Sequence, residues 1–383
     1  MRNRLVSLIR ASIHHPERIR PFLKERAAAA AYYFRSGMLA FNPTAIKLYV
    51  NNVCDARCIM CDIGLQNRDS VFYRQLMQTG DNVFSVGDCR RLMKQVKSFG
   101  PKIFISGVEP LLHPDIVELV QIIKKEGLCV SLSTNGISLP KLADGLIDAG
   151  PDSIVVSIDG PERIHDKIRG EGVYRRALEG LKLLGQHRTE KAKTAVGISS
   201  SCCISHLNYR NLTELADGLL GANLVDTINF THPFFVTAEA SESHNRSFAD
   251  LGSSTLAQVR AAELARIDID ALWEQLNQLT RNFPGSRVSF SVGLKSKEQL
   301  AMYYQHPGRV IGARKCLIPW KRATVLANGD MVIHNRCFLY KVGNIFESSF
   351  REIWNGRRYQ TFRKELKKAG LFPVCTRCCG SLS

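Results

Sequence analysis

Apolar and polar positions alternate along this chain in two periods, and the points where one gives way to the other mark out its elements. Six short runs read as strands: Ala45 to Val50, Ile103 to Ser106, Cys129 to Thr134, Ser153 to Ile158, Ala195 to Cys203 and Thr227 to Thr231. Stretches between them carry apolar residues at helical spacing, as in 114–126, which closes on Gly127 as a helix C-terminus does, and in 207–220. Strand and helix in succession predict parallel βα units. Six of them predict an α/β chain built as a partial (β/α)6 TIM-like barrel over residues 45–309. Each run ends in small polar or turn residues, and in such barrels the strand C-termini form the active face.

Other regions break the pattern. Residues 1–44 form a basic N-terminal segment in which Leu5, Leu8, Ile9 and Ile13 fall at helical spacing, with breaks expected near Pro16 or Pro21. Such a segment packs on the barrel, lies on a membrane surface as a peripheral contact, or serves as a targeting peptide. The alanine run and Tyr32, Tyr33 and Phe34 favour packing. Residues 232–256, with His232, His244 and Asn245, read as an irregular insert at the active face, either a lid or substrate wall or a plain surface loop. Near residue 310 the alternation stops. Ala323 to Leu326, the turn Asn328-Gly329-Asp330 and Met331 to Ile333 read as a hairpin, and with a helix near Phe350 to Asn355 they predict a small α+β module over 310–383.

Composition narrows the classes. Hydrophobic residues at 45% and charged residues at 23% are ordinary for a globular protein, whereas a net charge of +17 is not. That charge fits phosphate-bearing substrates, nucleic acid, an anionic membrane or a basic proteome background. The longest apolar run, Ala27 to Phe34, falls well short of the roughly 20 residues needed to cross a bilayer, which sets aside a membrane-spanning chain. Twelve cysteines, clustered and without a secretory signal, point to metal ligation in a reducing, cytoplasmic setting rather than to a disulfide framework.

Three of them, Cys54, Cys58 and Cys61, lie on the stretch Val-Cys-Asp-Ala-Arg-Cys-Ile-Met-Cys-Asp at 53–62. A 4Fe-4S cube held by three thiolates keeps one iron open to an outside ligand. On spacing alone the triplet also reads as half a zinc site or as three core cysteines. A C-x3-C-x2-C loop directly after a β-type run resembles the radical SAM superfamily. The resemblance implies that S-adenosylmethionine (SAM) chelates the open iron. One electron, from a donor such as flavodoxin or ferredoxin, then cleaves it to methionine and a 5'-deoxyadenosyl radical that removes a substrate hydrogen. It also implies the cofactor contacts. Met60 stands against the adenine, where many members carry an aromatic residue. Gly107 and Glu109, in Gly-Val-Glu-Pro where many members have Gly-Gly-Glu-Pro, face the SAM amino group. Ser133, Asn135, Ser157 and Asp159 hold the ribose and carboxylate, and Arg169 either closes over the carboxylate or lies on a solvated helix face. A zwitterionic, hydroxyl-rich cofactor needs short polar side chains of this kind at close range.

The second cysteine set, Cys316, Cys337, Cys375, Cys378 and Cys379, resembles the SPASM or Twitch extension of the same superfamily. Two auxiliary clusters require about seven or eight thiolates, so five cysteines imply one auxiliary 4Fe-4S cluster, with Cys316, Cys337, Cys375 and Cys378 as ligands and Cys379 spare or substituting. A zinc ribbon would use the same four thiolates. Cys89, on a helix, and Cys129, in a strand, read as core residues.

The expected activity is that of a radical SAM enzyme of the oxidoreductase or epimerase type. Hydrogen abstraction from a small-molecule substrate then leads to oxidation, epimerisation or radical bond formation. Cys202 and Cys203 end the fifth strand, so alternation turns one of them into the barrel as a candidate hydrogen donor. The alternatives are a peptide-modifying maturase of the same superfamily and a non-enzymatic zinc- or nucleic-acid-binding protein. The pairing of two cysteine sets with the strand-end motifs weighs against the latter.

Overall fold

All six predicted strands form, and the alternation within each decides which side chains meet helices and which face inward. A computed structural model describes residues 19–34, 38–77, 82–106, 108–257, 261–312, 315–333 and 336–378. Strands β1 (Ala45–Leu48), β2 (Lys102–Ile105), β3 (Val130–Thr134), β4 (Ser153–Ser157), β5 (Gly197–Cys203) and β6 (Thr227–Thr231) pair in parallel, each with the next. Ile46, Leu48, Ile103, Ile105, Leu132, Ile154, Val156, Ile198, Ile228 and Phe230 are buried in one core with the helices. The residues between them on β3 to β6, such as Ser133, Ser157, Ser201, Cys203 and Asn229, are only half-buried and line the inside of the partial barrel. Parallel strands covered by packing on both faces read as continuous apolar runs. A polar inner face therefore marks an interior shaped for a ligand rather than for core packing.

The α-helices of eight residues or more are α1 (Ile19–Phe34), α2 (Val86–Val96), α3 (Ile116–Lys125), α4 (Leu139–Ala149), α5 (Glu162–Arg169), α6 (Val173–Glu190), α7 (Ala238–Phe248), α8 (Ile269–Asn282), α9 (Lys297–Gln305) and α10 (Arg357–Ala369). Local chemistry fixes their starts. Ser85 and Asp88 form a capping box on α2, and Asp268 accepts from Asp270 N and Ala271 N at the head of α8. Among the described residues no helix is long and apolar enough to cross a membrane.

The structure corrects several expectations. A seventh parallel strand, β7 (Val288–Ser291), follows β6; its four residues, none of them fully buried, carry too weak a pattern to announce it. The 232–256 insert is not irregular. Thr237 caps α7 through Ala240 N, and His244 is buried, stacked on Phe338 and bonded to Gly252 O at 3.0 Å, so this histidine belongs to the core rather than to a loop. Helix α1 runs through Pro21, which lies in its first turn, where the missing N–H costs nothing. It docks on the C-terminal module, not on the barrel: Tyr32 meets Trp320 edge-on at 4.9 Å, and Lys367 Nζ donates to Tyr32 O at 2.7 Å. Tyr33 and Phe34 stay exposed. Cys129 is exposed because it precedes β3 instead of lying inside it, whereas Cys89 is buried as expected. Residues 1–18, which hold most of the predicted amphipathic stretch, lie outside the described residues.

The C-terminal module continues the barrel's sheet. Strand β8 (Arg322–Val325) pairs parallel with β1, and β9 (Asp330–Val332) and β10 (Lys341–Asn344) follow antiparallel, giving the order β10-β9-β8-β1-β2-β3-β4-β5-β6-β7. Gly329 makes the hairpin turn at φ +80°, with Phe346 packed so close that a Cβ would meet its ring at 2.6 Å. The module's own core gathers on Arg363. Its guanidinium lies over the rings of Trp354 and Tyr359 at 4.7 and 4.6 Å and donates to Pro319 O and Met38 O.

Candidate functional site

The loop after β1 carries Cys54, Cys58 and Cys61 across the C-terminal ends of the strands and is tied there at three points. Glu109 N donates to Val53 O at 2.8 Å, while Arg57 N and Ile59 N donate to Arg169 O and Ile168 O, at the end of α5, at 3.2 and 2.9 Å. The chain then turns tightly, with Cys61 N on Cys58 O and Leu65 N on Cys61 O. Gly64 folds back against this turn. A Cβ there would lie 2.5 Å from both the N and the O of Cys58, so only glycine fits.

Cys58 is buried, and Cys54 and Cys61 are half-buried. Cys58 opposes ionisation of Cys54, and Cys61 opposes that of Cys58, which places the three thiols side by side. Burial pushes Cys54 up to about 12 and Cys58 up to about 11, against the pull of Arg169 on the latter. Two donors are aimed at the sulfurs: Arg169 Nη1 at Cys58 Sγ, 3.7 Å away, and Asn135 Nδ2 at Cys54 Sγ, 4.0 Å away. A bound metal holds such thiols as thiolates, and N–H donors at the sulfur are the usual support of iron-sulfur ligands. Among the described residues no three His, Cys, Asp or Glu side chains converge as they would around a single ion, whereas a cube spreads three thiolates over three irons. The donor set fits the cluster.

The strand-end carboxylates, which the resemblance directs toward the cofactor, are each held by several donors of the protein itself. Glu109 is buried, with Oε1 accepting from Leu111 N and Thr134 Oγ1 at 2.9 and 2.7 Å and Oε2 from Asn135 N at 2.7 Å. Burial outweighs these donors and raises its pKa to about 7. Asp159 is fully buried too. Its Oδ2 accepts from Arg169 Nε at 2.6 Å and its Oδ1 from Cys203 N at 2.8 Å. Arg169 is thus paired inside the site rather than solvated on a helix face. Asn135 bridges to the loop, donating to Asp55 Oδ1 at 2.7 Å, and Gly136 turns the chain beyond it at φ +89°, where a Cβ would strike Ala177. Ser133 and Ser157 lie half-buried on the inner face, and Gly107 falls outside the described residues.

Met60 lines a cleft with Ile59, Cys203, His206 and Pro233. Of the two cysteines ending β5, Cys202 is the outward one, fully buried and approached by Asn208 Nδ2 at 3.6 Å. Cys203 is the inward one, in register with Thr231 of β6. Sequence reasoning missed Asn208, which donates to Asp159 O and Cys203 O, both at 2.8 Å, and so locks the ends of β4 and β5 together. It also missed Thr134 and Gly64. Only the position of Thr134 beside Asn135-Gly136 hinted at a role.

In the C-terminal module Cys337, Cys375 and Cys378 are buried and Cys316 is half-buried. Cys378 and Cys316 both oppose ionisation of Cys375, so these three thiols are gathered. Cys337 is fixed by a separate contact, its carbonyl accepting from Ser254 Oγ at 2.6 Å. Arg377, between two of the cysteines, is almost fully buried, a role nothing in its sequence context signals. Cys379 falls outside the described residues.

Residues 48–200 match the family model described as the radical SAM superfamily, and residues 316–379 match SPASM, an iron-sulfur cluster-binding domain. The chain belongs to the radical SAM superfamily. This radical SAM protein carries a C-terminal SPASM module, and its cofactors are SAM, a 4Fe-4S cluster and an auxiliary 4Fe-4S cluster. It is 25% identical to an Fe-coproporphyrin III synthase of Methanosarcina barkeri (strain Fusaro / DSM 804) over 90% of this chain and 83% of that one. It is 28% identical to an AdoMet-dependent heme synthase of the same organism over 76% and 80%. Streptococcus suis SuiB bound to S-adenosylmethionine shares the fold at a TM-score of 0.57 and 17% identity, covering 84% of this chain and 68% of that one. Native anSMEcpe with bound AdoMet does so at 0.56 and 15%, covering 84% and 83%.

Proposed function

We propose that this radical SAM enzyme abstracts a hydrogen atom from a small molecule held in the cleft beside Met60, and that Cys203 returns a hydrogen to the same molecule. The observation that carries this reading is the inward turn of Cys203 into the cleft that the cysteine loop also lines. In this reading Cys54, Cys58 and Cys61 hold the initiating cluster, and Cys316, Cys337, Cys375 and Cys378 hold the auxiliary one. The cofactors supply the radical that removes the first hydrogen. The protein's residues do the rest. Asp159 fixes Arg169 against Cys58, and through Cys203 N it fixes the end of β5. Burial pushes the Cys203 thiol up to about 12, so its sulfur keeps the hydrogen that it is to give. Giving it leaves a sulfur radical on Cys203, and one electron and one proton, with the electron drawn from the external reductant, restore the thiol. The substrate is inverted or rearranged without net oxidation.

A small molecule is favoured because the two relatives that align along most of the chain are named for Fe-coproporphyrin III and heme. SuiB in complex with its precursor peptide shares only the fold, at 16% identity. Turnover in deuterated water tests the proposal. Wild type and Cys202→Ala place one deuterium on the product carbon, and Cys203→Ala does not. A product two hydrogens lighter, made equally well by both variants, would replace this reading with oxidation.

A further inference from the structure

Arg336 lies on the segment between β9 and β10 of the C-terminal module, yet its guanidinium belongs to the active face of the barrel. It stands over the Phe72 ring at 4.5 Å and over the Phe234 ring at 4.9 Å. Phe72, on the helix Val71–Met77, is part of a buried apolar cluster against which Cys54 and Cys61 rest. Phe234 follows Pro233, which lines the cleft beside Met60. At Cys203, on the same cleft, burial and Asp159 oppose a thiolate while the charges of Arg169 and Arg336 favour it, so both guanidiniums act on this sulfur. Arg169 and Asp159 form an ion pair within the barrel; Arg336 reaches the sulfur from the other module. Arg336 is half-buried. Beside two rings its field is screened less than in bulk water, and its planar fork of donors matches a carboxylate.

We propose that Arg336 is a specificity residue that holds a carboxylate of the substrate while the carbon that receives the hydrogen faces Cys203, so that the substrate is a carboxylate-bearing small molecule. Glu263, also on the cleft, repels an anion and directs that end of the substrate toward Arg336. The proposal rests on the reading that the substrate meets Cys203 in the cleft, and adds to it the chemical class of that substrate.

The test uses the full chain with its clusters reconstituted anaerobically. Its probes are iodoacetate and iodoacetamide, alkylating agents of nearly equal size that differ by one negative charge. Both react with the same thiolate, so the ratio of their rates at Cys203 does not depend on how readily that thiol ionises. Mass spectrometry reads the ratio, with fragment masses separating Cys203 from Cys202. Arg336→Met, which keeps an unbranched stem against the two rings, is expected to lower the iodoacetate-to-iodoacetamide ratio roughly tenfold from wild type. Arg336→Lys is expected to keep most of it. An unchanged ratio in Arg336→Met would overturn the proposal, as would a ratio in Arg336→Lys that falls as far as in Arg336→Met. Wild type alone gives a second measurement that needs no variant to fold. Acetate at constant ionic strength is expected to slow iodoacetate at Cys203 and acetamide is not; equal slowing by both, or by neither, would overturn the proposal. SAM affinity in Arg336→Met, by equilibrium dialysis, is expected to stay within about twofold of wild type, and a loss of about tenfold would give the guanidinium to the cofactor's carboxylate instead. A Cys203 that iodoacetamide leaves unlabelled would remove the donor reading itself, a failure visible before any variant is compared.

Discussion

At the initiating loop a buried arginine is answered by a carboxylate, Arg169 on Asp159 at 2.6 Å; at the auxiliary turn a buried arginine is answered by five main-chain carbonyls. The first lies against the Cys58 sulfur and its charge is cancelled locally, whereas the second lies on the Tyr303 ring and is only partly offset by dipoles. The difference teaches how one chain keeps two cysteine sets apart in character. A full ion pair ties several strand ends rigidly around the loop, at the risk that losing one partner strands the other's charge. Carbonyl acceptors tolerate the loss of their cation better, because each oxygen left behind is neutral.

The largest effect expected on this comparison is at the loop itself. Alanine at Cys54, Cys58 or Cys61 should abolish 5'-deoxyadenosine formation from SAM under reducing, anaerobic conditions, and wild-type formation by the triple variant would end the assignment. Alanine at Cys316 or Cys375 should be milder. It should remove roughly four irons per chain and leave some SAM cleavage, as iron analysis and product chromatography would show; full retention of iron would make those cysteines structural. Next comes the arginine comparison. Asp159→Asn strands a buried guanidinium and should cost about 3–5 kcal/mol in chemical denaturation. Replacing the carbonyl-held Arg377 by Met should cost less, and the reverse order would refute the contrast between the two arginines.

The smallest expected effect is a pH dependence. Glu109, with a folded pKa of about 7 against an ordinary 4.5, holds its proton in the native state over a window in which the unfolded chain has lost it. Stability should therefore be greatest below that window, fall as pH rises from 4.5 to 7 by roughly 3 kcal/mol, and level off above it. Glu109→Gln should flatten the curve, and a wild-type curve already flat would show that the three hydrogen bonds keep Glu109 ionised.

The sequence makes the local part of this molecule readable. Strand runs, the cysteine spacing and the turn residues at strand ends all lie within a few positions of one another, so periodicity and spacing report them directly. What escaped joins distant segments. The role of Arg377 depends on carbonyls some 70 positions earlier in the chain, and that of Arg363 on Met38, 325 positions away. The hydrogen-bond partners of Glu109 and Asp159 escaped for a related reason, because the donors Asn135 N and Cys203 N come from neighbouring strands. Helix α7 was missed because its polar composition, Ala-Glu-Ala-Ser-Glu-Ser-His-Asn-Arg-Ser-Phe, has helical propensity without a broad apolar stripe.

The pairing of β8 with β1 has a bearing on how the chain is born. Thr44 and Lys321, which meet at the start of that pairing, are 277 residues apart, so most of the polypeptide has left the ribosome before the second neighbour of β1 exists. Until then the strand that leads into the cysteine loop carries an open edge, with unpaired main-chain groups able to recruit another chain. Such distant contacts form slowly. Closure of the sheet is thus a late event in biosynthesis, and chains truncated before residue 322 lack the strand that seals the first one.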